Sequence, residues 1–235
     1  TDLQEAANRL SKLGEISKVQ GNSRIRRAYS GNYRTYTSEA VLQKTAATRT
    51  LSTAPNDPGF VTQWNLNNVG DIDFGNSNAK SVTGCDVNCL EAWKKCTGDP
   101  SIIVAVLDEG VMYTHPDLAA NMWVNEKEQL RAGKDADGNG YKDDRYGYNF
   151  VTNSAIISWT DTYDTGHGTH VAGSIAAVNG NGKGVCGIAG GDGTANSGVK
   201  IMSCQVFAGQ GGVTLSAEAQ AIKSVSYTHL RAHET

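Results

Sequence analysis

Residues 101–110 read SIIVAVLDEG and indicate the fold class of this chain. Six consecutive apolar residues, most of them β-branched, precede Asp108 without any polar residue between them. Such a run is typical of a strand that is buried on both faces of a parallel sheet. Open α/β sheets carry their ligand-binding and catalytic groups at the carboxyl ends of these strands. The pattern predicts an α/β fold in which Asp108 is a candidate catalytic carboxylate or, alternatively, a turn-forming residue.

A second informative segment, residues 166–177, reads GHGTHVAGSIAA. Its small and apolar residues predict a tightly packed helix with His167 near the N-terminus. A histidine in that position can accept a proton if a carboxylate fixes its tautomer. Because His170 follows three residues later, a zinc site is an alternative. The segment lacks the glutamate of a His-Glu-X-X-His zinc helix, however, and no third ligand is evident.

The two segments resemble the motifs around the catalytic Asp and His of the subtilisin-like serine peptidases, the subtilases. The first motif covers residues 104–110 and continues through residues 115–118 (HPDL), and the second covers residues 167–173. Their order, Asp before His, is the order found in subtilisin. The resemblance implies a three-layer α/β subtilisin-like fold with a mainly parallel sheet. It also implies a serine endopeptidase that hydrolyses peptide bonds with an Asp-His-Ser triad.

The same resemblance assigns roles to the candidate catalytic residues. His167 is expected to be the general base that takes a proton from a serine and returns it to the leaving amine. Asp108 is expected to hold the imidazole in the productive tautomer and to stabilise the imidazolium. His170 is expected to be structural. Glu109 stands where many family members have Ser or Thr, and the sequence assigns it no role.

Further segments fit the same family. Residues 56–66 resemble the opening of many subtilase catalytic domains, and Ala92–Trp93 resembles a helix that precedes the catalytic strand. Residues 199–207 predict the next parallel strand. Gly209 and Gly211 then lie where subtilases pair an extended polypeptide substrate with an edge segment, so they are candidate substrate-binding residues. A plain strand-to-helix loop is the alternative.

A possible calcium loop lies between the two catalytic motifs. Residues 135–144 read DADGNGYKDD, which has the spacing of such a loop. The candidate ligands are Asp135, Asp137, Asn139, Asp143 and the backbone carbonyl of Tyr141. Tyr146 occupies the position of the usual bidentate glutamate, so Asp144 or a residue elsewhere must complete the site. Because clustered carboxylates repel one another, we expect a structural calcium ion rather than a solvated acidic turn.

Charge is unevenly distributed along the chain. Residues 1–50 hold nine Lys and Arg against four acids, a balance of +5, whereas residues 51–223 hold 11 against 19, a balance of −8. A basic segment can dock on an acidic domain, although a solvated tail is the alternative. The family resemblance implies that residues 1–50 are the C-terminal part of an inhibitory propeptide plus a linker. The basic residues are scattered and match no nucleic-acid-binding module.

Residues 51–223 are expected to form the N-terminal half of a subtilase catalytic domain. The family would continue with an oxyanion Asn and a Gly-Thr-Ser nucleophile segment, which residues 224–235 do not contain. Those residues break the helical pattern predicted over 215–223 and resemble a translated sequencing adapter, so His229 and His233 are not expected to be ligands. We therefore expect a truncated fragment that is inactive by itself. The alternative function is that of a catalytically dead, subtilase-like binding module with a calcium loop.

The chain has five cysteines, an odd number. Cys85, Cys89 and Cys96 cluster before the catalytic strand and allow one disulfide in any of three pairings. Cys186 and Cys204 lie in apolar contexts that are typical of buried thiols. No apolar run is long enough to span a membrane. The family resemblance implies a secreted or cell-surface location.

Overall fold

The computed structural model describes residues 5, 8, 9, 12, 24, 25, 55–72, 81–159, 165–208 and 213–230. Its elements are, in chain order, β1 (Arg24–Ile25), a 3-10 helix (Pro58–Thr62), α1 (Cys89–Trp93), β2 (Ile103–Asp108), a second 3-10 helix (Ala119–Asn121), β3 (Gly147–Asn149), α2 (His167–Ala176), β4 (Lys200–Gln205), β5 (Val213–Thr214) and α3 (Leu215–Leu230). Gly209, Gly211 and most of residues 1–50 lie outside the described residues.

A parallel sheet organises the fold. Its strands lie in the order β2, β4, β3, and both pairings are parallel, as the apolar run at 101–110 predicts. Gln205 at the end of β4 pairs with Asp108 on one side and with Asn149 on the other. The carboxyl ends of the three strands are therefore level, and Asp108 lies at the edge where such sheets carry their functional groups.

Each face of the sheet contributes to its own hydrophobic cluster. Val104 and Val106 of β2 pack with Ala172 and Ala176 of α2, on one face. The intervening residues of β2 pack in a second cluster with residues of β4 and α3; its members include Ile103, Ala105, Leu107, Met202, Cys204, Ala217 and Ala221. Because side chains alternate between the faces of a strand, α2 and α3 cover opposite faces of the sheet. The result is the expected three-layer α/β arrangement.

Helix α3 is longer than the sequence pattern indicates. The pattern predicts a helix over residues 215–223, whereas α3 continues to Leu230. Residues 215–230 contain neither Gly nor Pro, so no residue in them forces the helix to end. Val225, beyond the predicted end, still packs against the second cluster. No helix among the described residues is long and apolar enough to cross a membrane.

All five cysteines are free thiols in the structure. Cys85 and Cys96 are exposed, whereas Cys89, Cys186 and Cys204 are buried. The Cys186 thiol donates a hydrogen bond to Asp57 Oδ2 at 3.2 Å. Burial, followed by the nearby Asp57 charge, raises the pKa of the Cys186 thiol. The two cysteines that sequence context assigns to the interior are thus in the interior.

Candidate active site

Asp108 is the last residue of β2. The backbone N–H groups of Val206 and Phe207 donate to its carbonyl oxygen at 2.8 and 3.2 Å, which continues the pairing with β4 past the strand end. The N–H of Glu109 donates to Asp108 Oδ1 at 2.6 Å. These contacts fix both the backbone and the carboxylate of Asp108 at the edge of the sheet.

His167 is the first residue of α2 and faces the Asp108 carboxylate. Its Nδ1 lies 2.9 Å from Oδ1 and 2.8 Å from Oδ2 of Asp108. An ionised carboxylate can only accept hydrogen bonds, so Nδ1 carries the hydrogen and Nε2 of the neutral ring keeps the lone pair. The Asp108 side chain is 14% exposed and that of His167 is 43% exposed. The carboxylate is shielded from water while the ring remains accessible, as a proton acceptor requires.

Small residues bring α2 close to the end of β2. Gly166, just before the helix, has φ 74°, a left-handed conformation that favours glycine. A Cβ on Gly168 would lie 2.2 Å from the carbonyl oxygen of Glu109, so a side chain there does not fit. Thr169 Oγ1 accepts a hydrogen bond from the N–H of Met112 at 3.0 Å. The helix backbone therefore rests directly on the segment that follows Asp108, which places Asp108 and His167 in contact.

Two carboxylates of the predicted calcium loop accept hydrogen bonds from backbone N–H groups in or next to the loop. Asp135 accepts hydrogen bonds from the N–H groups of Gly138 and Gly140, at 2.8 Å each. Asp143 accepts from the N–H of Gly133 at 2.8 and 3.0 Å. The carboxylates of Asp135 and Asp143 thus accept hydrogen bonds from nearby backbone, and neither belongs to the group of three carboxylates described next.

A cluster of three carboxylates joins two residues of this loop to Glu128, which precedes it. One carboxylate oxygen from each of Glu128, Asp137 and Asp144 lies within 4.8 Å of the others. Glu128 is 1% exposed and Asp144 is 3% exposed. The Asn125 amide nitrogen donates to Asp137 Oδ2 at 3.0 Å and to Asp144 Oδ1 at 2.9 Å, and the Asn139 amide nitrogen donates to Asp144 Oδ2 at 2.7 Å. Asp137 and Asn139 are therefore at the cluster. The Tyr141 ring packs against Tyr148 and Phe150, which leaves the proposed role of the Tyr141 backbone carbonyl untested.

The burial and charge of these carboxylates would suit a bound cation. Burial raises the pKa of Asp144 from its usual value to about 6, with a further contribution from the charges of Asp137 and Glu128. The amide hydrogen bonds from Asn139 and Asn125 oppose this rise. A buried group of like charges is costly in water-excluded surroundings unless a counter-charge offsets it. Oxygen donors of this kind suit calcium or another hard divalent cation.

A comparison with protein families identifies the family of this chain. The model of the subtilase family matches residues 99–233, more than half of the chain. The chain belongs to the subtilase family. The matched region contains the three-stranded sheet, the segments of Asp108 and His167 and the carboxylate cluster, and it extends over α3.

Several curated subtilases are similar to this chain. Subtilisin-like protease 1 of Plasmodium vivax is 50% identical over 88 residues, which are 37% of this chain and 13% of that protein. The protein of the same name from Plasmodium falciparum (isolate 3D7) is 40% identical over 109 residues, 45% of this chain and 15% of that protein. Neuroendocrine convertase 2 of Bos taurus is 30% identical over 147 residues, 63% of this chain and 19% of that protein. The chain thus spans less than a fifth of the length of these relatives.

Two proteases with solved structures are similar to this chain. The Aeromonas sobria serine protease, crystallised in complex with a chaperone, has a TM-score of 0.47 and 27% identity over 76% of this chain and 23% of its own. A protease from Pseudoalteromonas arctica has a TM-score of 0.43 and 27% identity over 72% of this chain and 43% of its own.

Two buried carboxylates of this subtilase chain were not assigned a role from the sequence. Glu128 joins the carboxylate cluster from seven residues before the loop, a separation that no loop-spacing rule covers. Glu109 is fully buried, and its Oε2 accepts hydrogen bonds at the start of α2. In the sequence, each is a single acidic residue that belongs to no recognised motif. Its role becomes visible only when the folded chain brings its partners close. Neither His167 nor His170 belongs to a cluster of three potential metal ligands in the part of the chain that the structure describes.

Proposed function

We propose that this protein is a serine endopeptidase in which His167 is the general base and acid of an Asp-His-Ser triad and Asp108 orients it. The hydrogen bond between His167 Nδ1 and the Asp108 carboxylate is the observation that carries the proposal. Membership of the subtilase family supports it, because both residues lie in the matched region and in the two segments that resemble the family's catalytic motifs.

In this mechanism, His167 Nε2 accepts the proton of a serine hydroxyl as its oxygen attacks the carbonyl carbon of the substrate. The resulting imidazolium is stabilised by Asp108 through the Nδ1–H hydrogen bond. His167 then gives the proton to the leaving amine as the peptide C–N bond breaks, and water later releases the acyl group by the reverse transfers. Residues 1–235 contain no Gly-Thr-Ser segment, so the serine and the oxyanion donor belong to the whole protein and this chain alone is expected to be inactive.

Substrate binding and inhibition are proposed to share one edge of the enzyme. Gly209 and Gly211 would bind the extended polypeptide substrate through their backbone groups. The basic leader, residues 1–50, would be the end of the protein's own inhibitory propeptide. The antiparallel pairing of Arg24–Ile25 with Val213–Thr214 supports this, since it lies two residues beyond Gly211. The family context supports a secreted or cell-surface location.

Calcium is proposed as a structural ion at the carboxylate cluster. Glu128, Asp137 and Asp144 would hold it, with Asn139 at the border of the site. When bound, the ion neutralises the carboxylates and cross-links the loop to the segment before it. It takes no part in peptide hydrolysis.

The test is hydrolysis by the full-length gene product. The purified protein is assayed on a peptide library and with a fluorophosphonate probe that labels activated serines, beside the variant His167→Ala. Cleavage and labelling by the wild type, with both lost in the variant, support the proposal. A folded wild-type protein that binds peptides without cleaving them would instead support the binding-module alternative.

A further inference from the structure

We propose that Glu109 is a positioning residue for the catalytic histidine. Its buried carboxylate anchors the first turn of α2 and thereby sets where His167 stands relative to Asp108. This inference rests on the proposed peptidase function, and its test includes a measurement that does not depend on that function.

The carboxylate of Glu109 binds the start of α2 at three points. Its Oε2 accepts hydrogen bonds from the Thr165 N–H at 3.0 Å, the Thr165 hydroxyl at 3.0 Å and the His167 N–H at 3.2 Å. The first N–H groups of a helix have no partner within the helix. Gly166, the residue before α2, has no side chain to accept them. Glu109 therefore supplies from another element the acceptor that an N-cap side chain normally provides, and its negative charge suits the helix N-terminus.

The backbone of Glu109 contacts both catalytic elements. Its N–H donates to Asp108 Oδ1 at 2.6 Å, and its carbonyl oxygen touches the α2 backbone at Gly168. One residue thus orients the Asp108 carboxylate through its backbone and the His167 backbone through its side chain. A displacement of about 1 Å in a catalytic group can lower a rate by about 100-fold, so this double contact has a direct consequence for catalysis.

The length of the glutamate side chain matters. Oε2 stands four bonds from Cα, whereas the hydroxyl of the Ser or Thr expected at this position stands two bonds from Cα. A Ser or Thr hydroxyl would end short of Thr165 and His167. Glutamine has the same length and retains an oxygen that accepts hydrogen bonds, so it separates the effect of position from the effect of charge.

The experiment compares Glu109→Ala and Glu109→Gln in the full-length protein. Asp57→Ala is the matched control, because Asp57 is also a buried carboxylate and accepts hydrogen bonds from the N–H groups of Gly180 and Asn181 at 2.6 and 3.1 Å. It lies beyond the C-terminal end of α2 and away from the catalytic pair. Activity is measured per folded molecule, with folding followed by circular dichroism.

We expect Glu109→Ala to lower kcat by about 10- to 100-fold with little change in KM, because substrate contacts are kept while the base is misplaced. Glu109→Gln should recover most of this loss, and Asp57→Ala should lose stability without losing kcat. A folded Glu109→Ala protein with the kcat of the Asp57→Ala control would overturn the proposal. If Glu109→Ala does not fold, Thr165→Val replaces it, since that change removes one of the three contacts; an unchanged kcat there also overturns the proposal.

The position of His167 can be followed without any substrate. The Nδ1 proton that His167 shares with Asp108 gives a low-field proton resonance. We expect this resonance in the wild type, in Glu109→Gln and in Asp57→Ala, and its loss in Glu109→Ala. If the wild type cleaves no peptide but the resonance follows this pattern, the positioning role stands and the proposed activity fails. A resonance that persists in Glu109→Ala contradicts the positioning role.

Discussion

At the residue scale, the difference in exposure between Asp108 and His167 agrees with the different roles proposed for them. The shielded carboxylate can hold a proton on Nδ1, and the more accessible ring can exchange a proton through Nε2. Replacing Asp108 by Asn keeps the shape but places an amide donor near Nδ1, which favours the wrong tautomer of His167. We expect Asp108→Asn to lower kcat by about 10⁴-fold in the full-length protein, as a disrupted tautomer does in serine peptidases.

Steady-state kinetics with a matched melting curve check this expectation. A loss of activity that is matched by a loss of folded protein would instead assign Asp108 a structural role.

Thiol reactivity tests the burial of individual cysteines. Burial, together with the charge of Asp144, raises the pKa of Cys204 to about 12, so its thiolate is scarce near neutral pH. The thiolate is the reactive form. We expect iodoacetamide to modify Cys85 and Cys96 rapidly in the folded full-length protein and Cys204 only after denaturation. Mass spectrometry of the alkylated peptides reads this out, and rapid native labelling of Cys204 would contradict the packing described here.

At the scale of elements, replacing either of two glycines in α2 by alanine is expected to change stability in opposite directions. A Cβ on Gly168 would collide with the Glu109 carbonyl, whereas a Cβ on Gly173 meets no atom within 4 Å. We expect Gly168→Ala to destabilise the protein by about 1–3 kcal/mol through overpacking. Gly173→Ala should stabilise it by about 0.5–1 kcal/mol, because alanine is the better helix former. Urea unfolding measures both; equal effects would mean that α2 does not rest on the end of β2.

Local patterns predicted some elements well because their causes are local. The apolar run of β2 indicates a strand and the small residues of α2 indicate a tightly packed helix, so Asp108 at a strand end and His167 at a helix start followed from them. Burial of β2 on both faces was predicted too strongly, since β2 is an edge strand of the described sheet and only Val106 in it is buried. The predicted end of α3 at Lys223 was wrong. The helix continues for seven more residues, and Val225 packs in the core. Glu109 could not be interpreted from sequence because its partners, Thr165 and His167, come from a distant part of the chain. Glu128 could not because it lies before the loop, at a spacing that no loop rule covers.

Calcium removal is the prediction that concerns the whole molecule. If the cluster holds calcium, the ion stabilises the folded protein by about 2.7 kcal/mol at a concentration 100 times its Kd. Chelation with EGTA should lower the Tm of the full-length protein, and Asp137→Asn should abolish the effect of added calcium. Glu126→Gln is the control, because Glu126 is 82% exposed and lies outside the cluster. Calorimetric scans with and without calcium measure these changes in Tm. A wild-type Tm that is the same with and without calcium would contradict the proposed site.

The source gene tests the predicted extent of the chain. Downstream of the codon for Lys223, we expect the source gene to encode an oxyanion Asn and a Gly-Thr-Ser motif in place of residues 224–235. Long-read sequencing through this codon gives the answer. A frame in which another residue replaces the serine would remove the peptidase function and favour a binding module.

The pairing of β1 with β5 joins residues that are about 190 positions apart in the chain. As long as the backbone between them is intact, each strand meets the other at an effective concentration that dilution cannot change. A single cut between them would turn the same contact into a bimolecular one, with an occupancy set by the amount of protein present. Sensitivity to dilution would therefore distinguish the cut form from the uncut form.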